Sequence, residues 1–245
     1  VAPSARAPPA VPVLKLGGST HFHPPPPPRG YGNHMNSDGS KEMLILFTRF
    51  PEPGRTKTRL IPALGPEGAA TLQRQMTQTM VNVGRRMRQK RRLVFEIRYD
   101  GGDPAALVAW LGKDLVYRQQ QPGSLGRRIC NAFEDAFTEG FEKVVIIGAD
   151  CPGLTDAIID QAFNALDKSR VVLGPAKDGG YYLIGQSEHE CNLFTDIDWG
   201  TEKVMAQTVH KAKEHDIQIV MLEKLADIDR PEDIEYYTNN SNKRT

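Results

Sequence analysis

No apolar stretch in this chain approaches the ~20 residues that a bilayer-spanning helix needs, and its first residues lack the apolar core of a secretory signal. The expectation is a protein without a membrane span that stays in the cytoplasm. Charge of one sign is not in excess either. A formal net charge of +1 over 245 residues excludes a non-specific nucleic-acid binder, which needs a basic surface to displace counterions. Cysteine is scarce: Cys130, Cys151 and Cys191 are odd in number, far apart and without a Cys-x-x-Cys spacing. Neither a disulfide framework nor a zinc site is therefore expected, and buried, reduced thiols are. Acidic residues are missing altogether before Asp38, while prolines crowd the same tract, with Pro24 to Pro28 in one run. Such a tract buries too little apolar surface to offset the entropy of ordering, so residues 1–42 are expected to be a disordered extension, either a targeting segment or sequence upstream of Met35 or Met43. Its His21 and His23 are read as a solvated pair.

What remains is a single expected domain over residues 43–240, with 241–245 as a tail. Here strand and helix patterns alternate. Met43 to Phe47 is a compact apolar run, and Ala69, Leu72, Met76, Met80, Val83 and Met87 then recur at steps of three and four, one face of a helix. Leu93, Phe95, Ile97 and Tyr99 alternate as a strand, a short helix follows to Leu111, and Leu115 to Gln121 is a third strand. A helix from Leu125 to Phe137, a strand from Val144 to Gly148, and a helix over Ile158 to Leu166 come next. Val171 to Leu173 and Tyr181 to Ile184 flank the turn Asp178-Gly179-Gly180, before a helix over Val204 to Ala212 and a strand over Ile217 to Leu222. Repeated βα units predict an α/β fold in three layers, αβα, with a mainly parallel twisted sheet and one antiparallel hairpin.

Two features carry chemistry. Asp150 closes the most apolar stretch of the chain, Val144-Val145-Ile146-Ile147-Gly148-Ala149, and precedes Cys151-Pro152. An unalternating β-branched run reads as a strand buried on both faces, and its carboxyl end is where open α/β sheets bind ligands. The loop after the first strand holds Arg49, Arg55, Lys57 and Arg59 within eleven residues, with Gly54 allowing close backbone approach. Arginine forks and a lysine point charge suit a di- or triphosphate. Neither the P-loop pattern nor the dinucleotide glycine fingerprint is present, so this phosphate loop is of another kind.

Five motifs occur in order: Lys57-Thr58-Arg59-Leu60; Gly123-Ser124-Leu125-Gly126-x-Arg128; Gly148-Ala149-Asp150-Cys151-Pro152; Gly174-Pro175-Ala176-Lys177-Asp178-Gly179-Gly180-Tyr181-Tyr182; and Asp227-Ile228-Asp229-Arg230-Pro231-Glu232-Asp233. Together they resemble the GT-A (nucleotide-diphospho-sugar transferase) superfamily, in particular the bacterial glycosyltransferase-like family similar to phospholactate guanylyltransferases. The resemblance covers residues 43 to about 238. It implies a divalent metal, Mg²⁺ or Mn²⁺, on the strand-end aspartate, here Asp150. Glycosyltransferases of this fold commonly present Asp-x-Asp, whereas this chain has Asp-Cys-Pro, so a second metal ligand must come from elsewhere. Asp229 is the candidate and Asp227 the fallback; Asp229 alternatively caps the last helix, expected to begin near Pro231.

The related guanylyltransferases carry Thr-Asn after the paired glycines, where this chain has Tyr181-Tyr182, and that departure points away from their substrate. The function expected is a metal-dependent transferase taking a nucleotide-diphospho-sugar, or a similar nucleotide-activated donor, and a small-molecule acceptor. Arg49, Gly54, Arg55, Lys57, Arg59, Ser124 and Gly126 would hold the nucleotide and its phosphates, Lys57 also countering charge on the leaving group. Asp178 would orient or deprotonate the acceptor, with Gly179, Gly180, Tyr181 and Trp199 on the acceptor or sugar side. Two rivals share these residues: a nucleotidyltransferase that joins NMP from an NTP to a phosphorylated acceptor and releases pyrophosphate, and a non-catalytic nucleotide-binding module.

Overall fold

The computed structural model describes residues 40–234. The expected extension up to Gly39 and the tail therefore lie outside the described residues. Seven strands make one sheet in the order β3-β2-β1-β4-β6-β5-β7. They are β1 (Glu42–Arg49), β2 (Leu93–Asp100), β3 (Val116–Gln119), β4 (Lys143–Gly148), β5 (Val171–Pro175), β6 (Tyr181–Gln186) and β7 (Ile219–Met221). All neighbours pair parallel except β6, which runs antiparallel to both β4 and β5. The mainly parallel sheet and its single hairpin are as the alternation of patterns predicted.

Successive residues of the central strands are buried on opposite faces, which is why these strands read as unbroken apolar runs. Leu44 and Leu46 lie in one core with α1 (Ile61–Lys90), α2 (Pro104–Leu111) and α4 (Asp156–Ala165); Met43 and Ile45 lie in the other with α3 (Leu125–Thr138) and α5 (Val204–Glu214). Fully burying one such side chain is worth about 1.5–3 kcal/mol, so the two cores dominate the stabilisation of the sheet. The apolar stripe of α1 is buried as its spacing requires, but the helix starts earlier than that stripe. Gly65 adopts φ +68°, and the helix resumes at Pro66 after the resulting kink.

Two local arrangements differ from a plain amphipathic reading. On β2 the positions between the apolar ones are buried too: Glu96 pairs with Arg98, whose guanidinium also reaches Asp135 on α3 at 2.7 Å. Those charges are tolerated because each has a partner. Second, Cys130 on α3 and Cys191 are joined as a disulfide, their Cα atoms 5.3 Å apart. This corrects the expectation of three reduced thiols. A separation of 61 residues gives no sequence signal for the pairing. Cys151 alone is free and buried, and burial, reinforced by nearby Asp227 and Asp150, pushes its thiol well above the usual range. Among the described residues no helix is long and apolar enough to cross a membrane.

Candidate functional site

The chain leaves β1 to build β2 and β3 on one side and returns to build β4 on the other, so the strand order reverses between β1 and β4. A cleft of about 660 Å³ opens there, over the carboxyl ends of the parallel strands. Asp150 stands two residues beyond β4 and lines this cleft, as do Arg49, Lys57, Arg59, Asp178, Tyr181, Trp199 and Asp229. Gly180 lines it as well.

The floor of the cleft is an ion-paired knot. Lys57 takes a left-handed conformation, φ 47° and ψ 43°, which turns its side chain inward, and only 3% of that side chain is exposed. Its ammonium lies 2.9 Å from Asp150 Oδ1 and 3.8 Å from Asp229 Oδ1, and donates to the Ile228 carbonyl at 2.6 Å. Arg59 donates to Asp229 Oδ2 at 2.6 Å. The backbone brings these partners together: Ile228 N–H donates to the Asp150 carbonyl at 2.9 Å, tying the C-terminal segment to the end of β4. The capping role considered for Asp229 belongs instead to Asp233, whose Oδ2 accepts from Asp229 N and Arg230 N at 3.1 and 2.8 Å. Asp229 is thereby left to face the two cations.

Whether a divalent cation suits this place is decided by the donor set. One positive charge, that of Lys57, already sits within 4 Å of an oxygen from each of Asp150 and Asp229. A hard cation bound through one or two carboxylates plus phosphate oxygens needs nothing more from the protein. Asp227 also lines the cleft, with its carboxyl pushed up by burial and by the negative charge of Asp178. Asp150, Asp227 and Asp229 do not, however, gather into a ready-made trio of ligands among the described residues.

A second charged group lines the same cleft. Arg128 Nη1 donates to Asp100 Oδ2 at 3.0 Å and Arg49 Nη2 does so at 3.1 Å, while Arg128 Nε donates to the Gly123 carbonyl. Burial raises the Asp100 carboxyl, but the two guanidinium groups outweigh it and hold the group below its ordinary range. Asp100, Gln120 and Arg128 line the cleft; Arg128 closes one of the five motifs but was given no role there, and the other two were not singled out from the sequence. Position at the ends of β2 and β3 is the signal that finds the first two, and the motif ending at Arg128 finds the third.

Several expected residues serve the frame more than the cavity. Gly54, at φ +77°, and Arg55, largely exposed and paired with Glu52, do not line the cleft. Ser124 caps α3 by accepting from Arg127 N at 3.3 Å, and Gly126 is where Trp199 and the Phe194 carbonyl approach within 3 Å of a would-be Cβ. Gly179 sits at φ +92° against the Glu202 backbone. Asp178 closes the same turn by accepting from Gly180 N at 2.8 Å. Tyr181 packs edge-on against Trp199, centroids 6.1 Å apart, whereas Tyr182 is a core residue whose hydroxyl donates to the Glu223 carbonyl.

The fold and the cleft at its switch point are those of the nucleotide-diphospho-sugar transferase superfamily. The chain is similar to a provisionally assigned nucleotide-diphospho-sugar transferase of Desulfovibrio desulfuricans G20, with 33% identity and a TM-score of 0.75 over 82% of this chain and 88% of that one. It belongs to the family described as "Uncharacterized protein conserved in bacteria (DUF2064)", whose model matches residues 79–201. The fold is shared more distantly with a nucleotidyl transferase of Methanothermobacter thermautotrophicus at 13% identity and TM-score 0.57, covering 84% of this chain and all of that one. It is shared too with the 4-diphosphocytidyl-2C-methyl-D-erythritol synthase of Anaerococcus prevotii DSM 20548 at 11% identity and TM-score 0.56, with coverage of 84% and 100%. No curated protein matches the chain.

Proposed function

We propose that the protein is a metal-dependent transferase that takes a nucleotide-diphospho-sugar, or a similar nucleotide-activated donor, and passes the activated group to a small-molecule acceptor. The observation that carries this reading is the Lys57 ammonium held between Asp150 and Asp229 at the sheet's switch point. Asp150 and Asp229 would hold Mg²⁺ or Mn²⁺, which supplies charge neutralisation to the donor's phosphates. Lys57, displaced from the carboxylates, would swing onto the phosphate oxygens together with Arg59, so that positive charge meets the leaving group as it departs. Tyr181 and Trp199 wall the side where the transferred group and acceptor would lie, with Asp178 orienting the acceptor. A single domain and a cytoplasmic setting belong to the same reading.

A nucleotidyltransferase is the second reading, and one observation favours it: Arg49 and Arg128 add two guanidinium groups to the same cleft as Lys57 and Arg59, enough positive charge for a triphosphate. A thermal-shift panel of nucleotide sugars and matching NTPs, with and without Mg²⁺ or Mn²⁺, separates the two. Nucleotide sugar at a hundred times its dissociation constant is expected to stabilise the fold by about 2.7 kcal/mol, dependent on metal and on Asp150. Preference for an NTP, with pyrophosphate release on adding a phosphorylated acceptor, would replace the first reading by the second. Stabilisation indifferent to metal and to D150A would leave a binding module.

A further inference from the structure

On the α3 side of the sheet, away from the carboxylates, three soft ligands converge. Cys130 projects from α3, Cys191 opens the short turn Cys191–Phe194, and His189 precedes it by two residues; one ligand atom from each lies within 4.8 Å of the others. The His189 Nε2 atom is 3.8 Å from Cys130 Sγ. A disulfide needs only the two sulfurs, so the imidazole is left over by that account. We propose that, with the sulfurs reduced, Cys130, Cys191 and His189 form a binding site for a thiophilic divalent cation of the zinc class, water completing the tetrahedron.

The geometry fits without rebuilding the chain. A thiolate sulfur and an imidazole nitrogen on one tetrahedral zinc stand about 3.6 Å apart, given zinc–sulfur and zinc–nitrogen bonds of about 2.3 and 2.0–2.1 Å. The observed 3.8 Å between Nε2 and Sγ is close to that. Two thiolates on the same ion stand roughly 3.8 Å apart, a separation that side-chain rotation provides once the sulfur–sulfur bond is gone. The strap bearing His189 and Cys191 is already pinned: Gln186 Nε2 donates to the Glu190 carbonyl, Glu190 N donates back to Gln186 Oε1, and Arg170 holds the Glu190 carboxylate at 2.7 Å. Cys130 is buried and His189 exposed, so the cation has a shielded anchor and an entry path. The ion would fasten α3, which carries Leu125 and Arg128 into the cleft, to the segment leading through Phe194 to Trp199. Where cellular thiols reduce the disulfide, each cysteine releases its proton as it ligates.

The test uses the full chain, reduced by a phosphine under inert gas. The phosphine becomes its oxide, taking oxygen from water, while the disulfide gains two electrons and two protons. After the phosphine is removed, Co²⁺ is titrated in. One equivalent is expected to produce a thiolate-to-cobalt charge-transfer band and intense tetrahedral visible bands, all bleached by Zn²⁺. The double substitution C130S/C191S should abolish the charge-transfer band, and H189A should weaken binding at least about tenfold. D150A should leave the band untouched, because carboxylates give no sulfur charge transfer; the outcome is thus independent of the proposed transferase site. No charge-transfer band in the reduced chain, a band surviving C130S/C191S in protein of native circular dichroism, or a sulfur pair that stays oxidised under excess dithiol would each overturn the proposal.

Discussion

Lys57 and Asp150 make a 2.9 Å ion pair at the floor of the cleft, the lysine side chain 3% exposed and the aspartate 49%. The pair joins the first loop to the end of β4. If Asp150 and Asp229 hold the proposed metal, Lys57 and the metal compete for the same carboxylates. Two unit charges 4 Å apart interact by about 4 kcal/mol at an effective dielectric of 20, and the half exposure of Asp150 reduces that considerably. Replacing the lysine by methionine, K57M, is expected to tighten Mn²⁺ binding in the absence of nucleotide by at least about tenfold, while D150N abolishes it. Electron paramagnetic resonance of free Mn²⁺ reads both. Weaker Mn²⁺ binding by K57M would show that the two cations do not share a site. With nucleotide present the sign should reverse, because Lys57 is then needed on the phosphates.

Arg128 and Arg49 share Asp100, and nucleotide phosphates would compete for the same guanidinium groups. A hydrogen bond to a charged group is worth about 1.5–3 kcal/mol, so R128A should weaken nucleotide binding by roughly ten- to a hundredfold in isothermal titration. An unchanged affinity would place the phosphates elsewhere. Asp100 adds a pH signature. Its carboxyl is lowered in the fold from the 3.8 of the unfolded group, so its stabilisation is complete above that value and is lost as pH falls through the lower folded value. Urea midpoints measured from neutral pH down into the acid range should fall less steeply for D100N than for the parent chain at the acid end. Identical slopes would remove the Arg128–Asp100–Arg49 cluster from the stability of the fold.

Much of this architecture was legible in the sequence because period and burial coincide: of the stripe on α1, Met80, Val83 and Met87 face one large core while Leu72 and Met76 pack with Leu60 and Ile228 in a smaller cluster, and Val144 to Ile147 is buried on both faces. What stayed illegible depends on side chains from distant elements meeting in space. Glu96 and Arg98 look like the solvent face of β2 until Asp135 on α3 and Arg118 on β3 close over them. Asp229 and Asp233 flank the same proline, and only the direction of their carboxylates assigns the cap to one and the cations to the other. Cys130 and Cys191 are too far apart in the chain for spacing to pair them.

Gly179 is held by backbone on two counts. Its φ of +92° is one that side-chain-bearing residues rarely adopt, and a Cβ there would lie 2.2 Å from the Glu202 carbonyl oxygen. The strained dihedral alone costs on the order of 1–3 kcal/mol, and the clash adds to it. G179A should lower the urea midpoint by an amount in that range or above and displace Asp178, whose carboxylate accepts from the neighbouring Gly180 N–H. A stability equal to the parent's would mean the turn has room to rearrange.

Tyr181 separates two uses of one side chain. Its ring lines the cleft against Trp199, while its hydroxyl is buried beside Thr208, and neither oxygen meets hydrogen-bond geometry. Burial pushes that phenol far up, with Thr208 opposing only in part, and its oxygen is shut away from solvent. An unpaired buried hydroxyl costs about 1–3 kcal/mol, of which a relaxed neighbour such as Thr208 returns a share. Y181F should therefore fold with equal or slightly higher stability, by about 0–1 kcal/mol, and turn over at the parent's rate. Y181A removes the wall itself and should raise the KM for the acceptor or transferred group while leaving nucleotide affinity nearly unchanged. A loss of turnover in Y181F equal to that in Y181A would assign the chemistry to the hydroxyl and overturn the packing role of the ring.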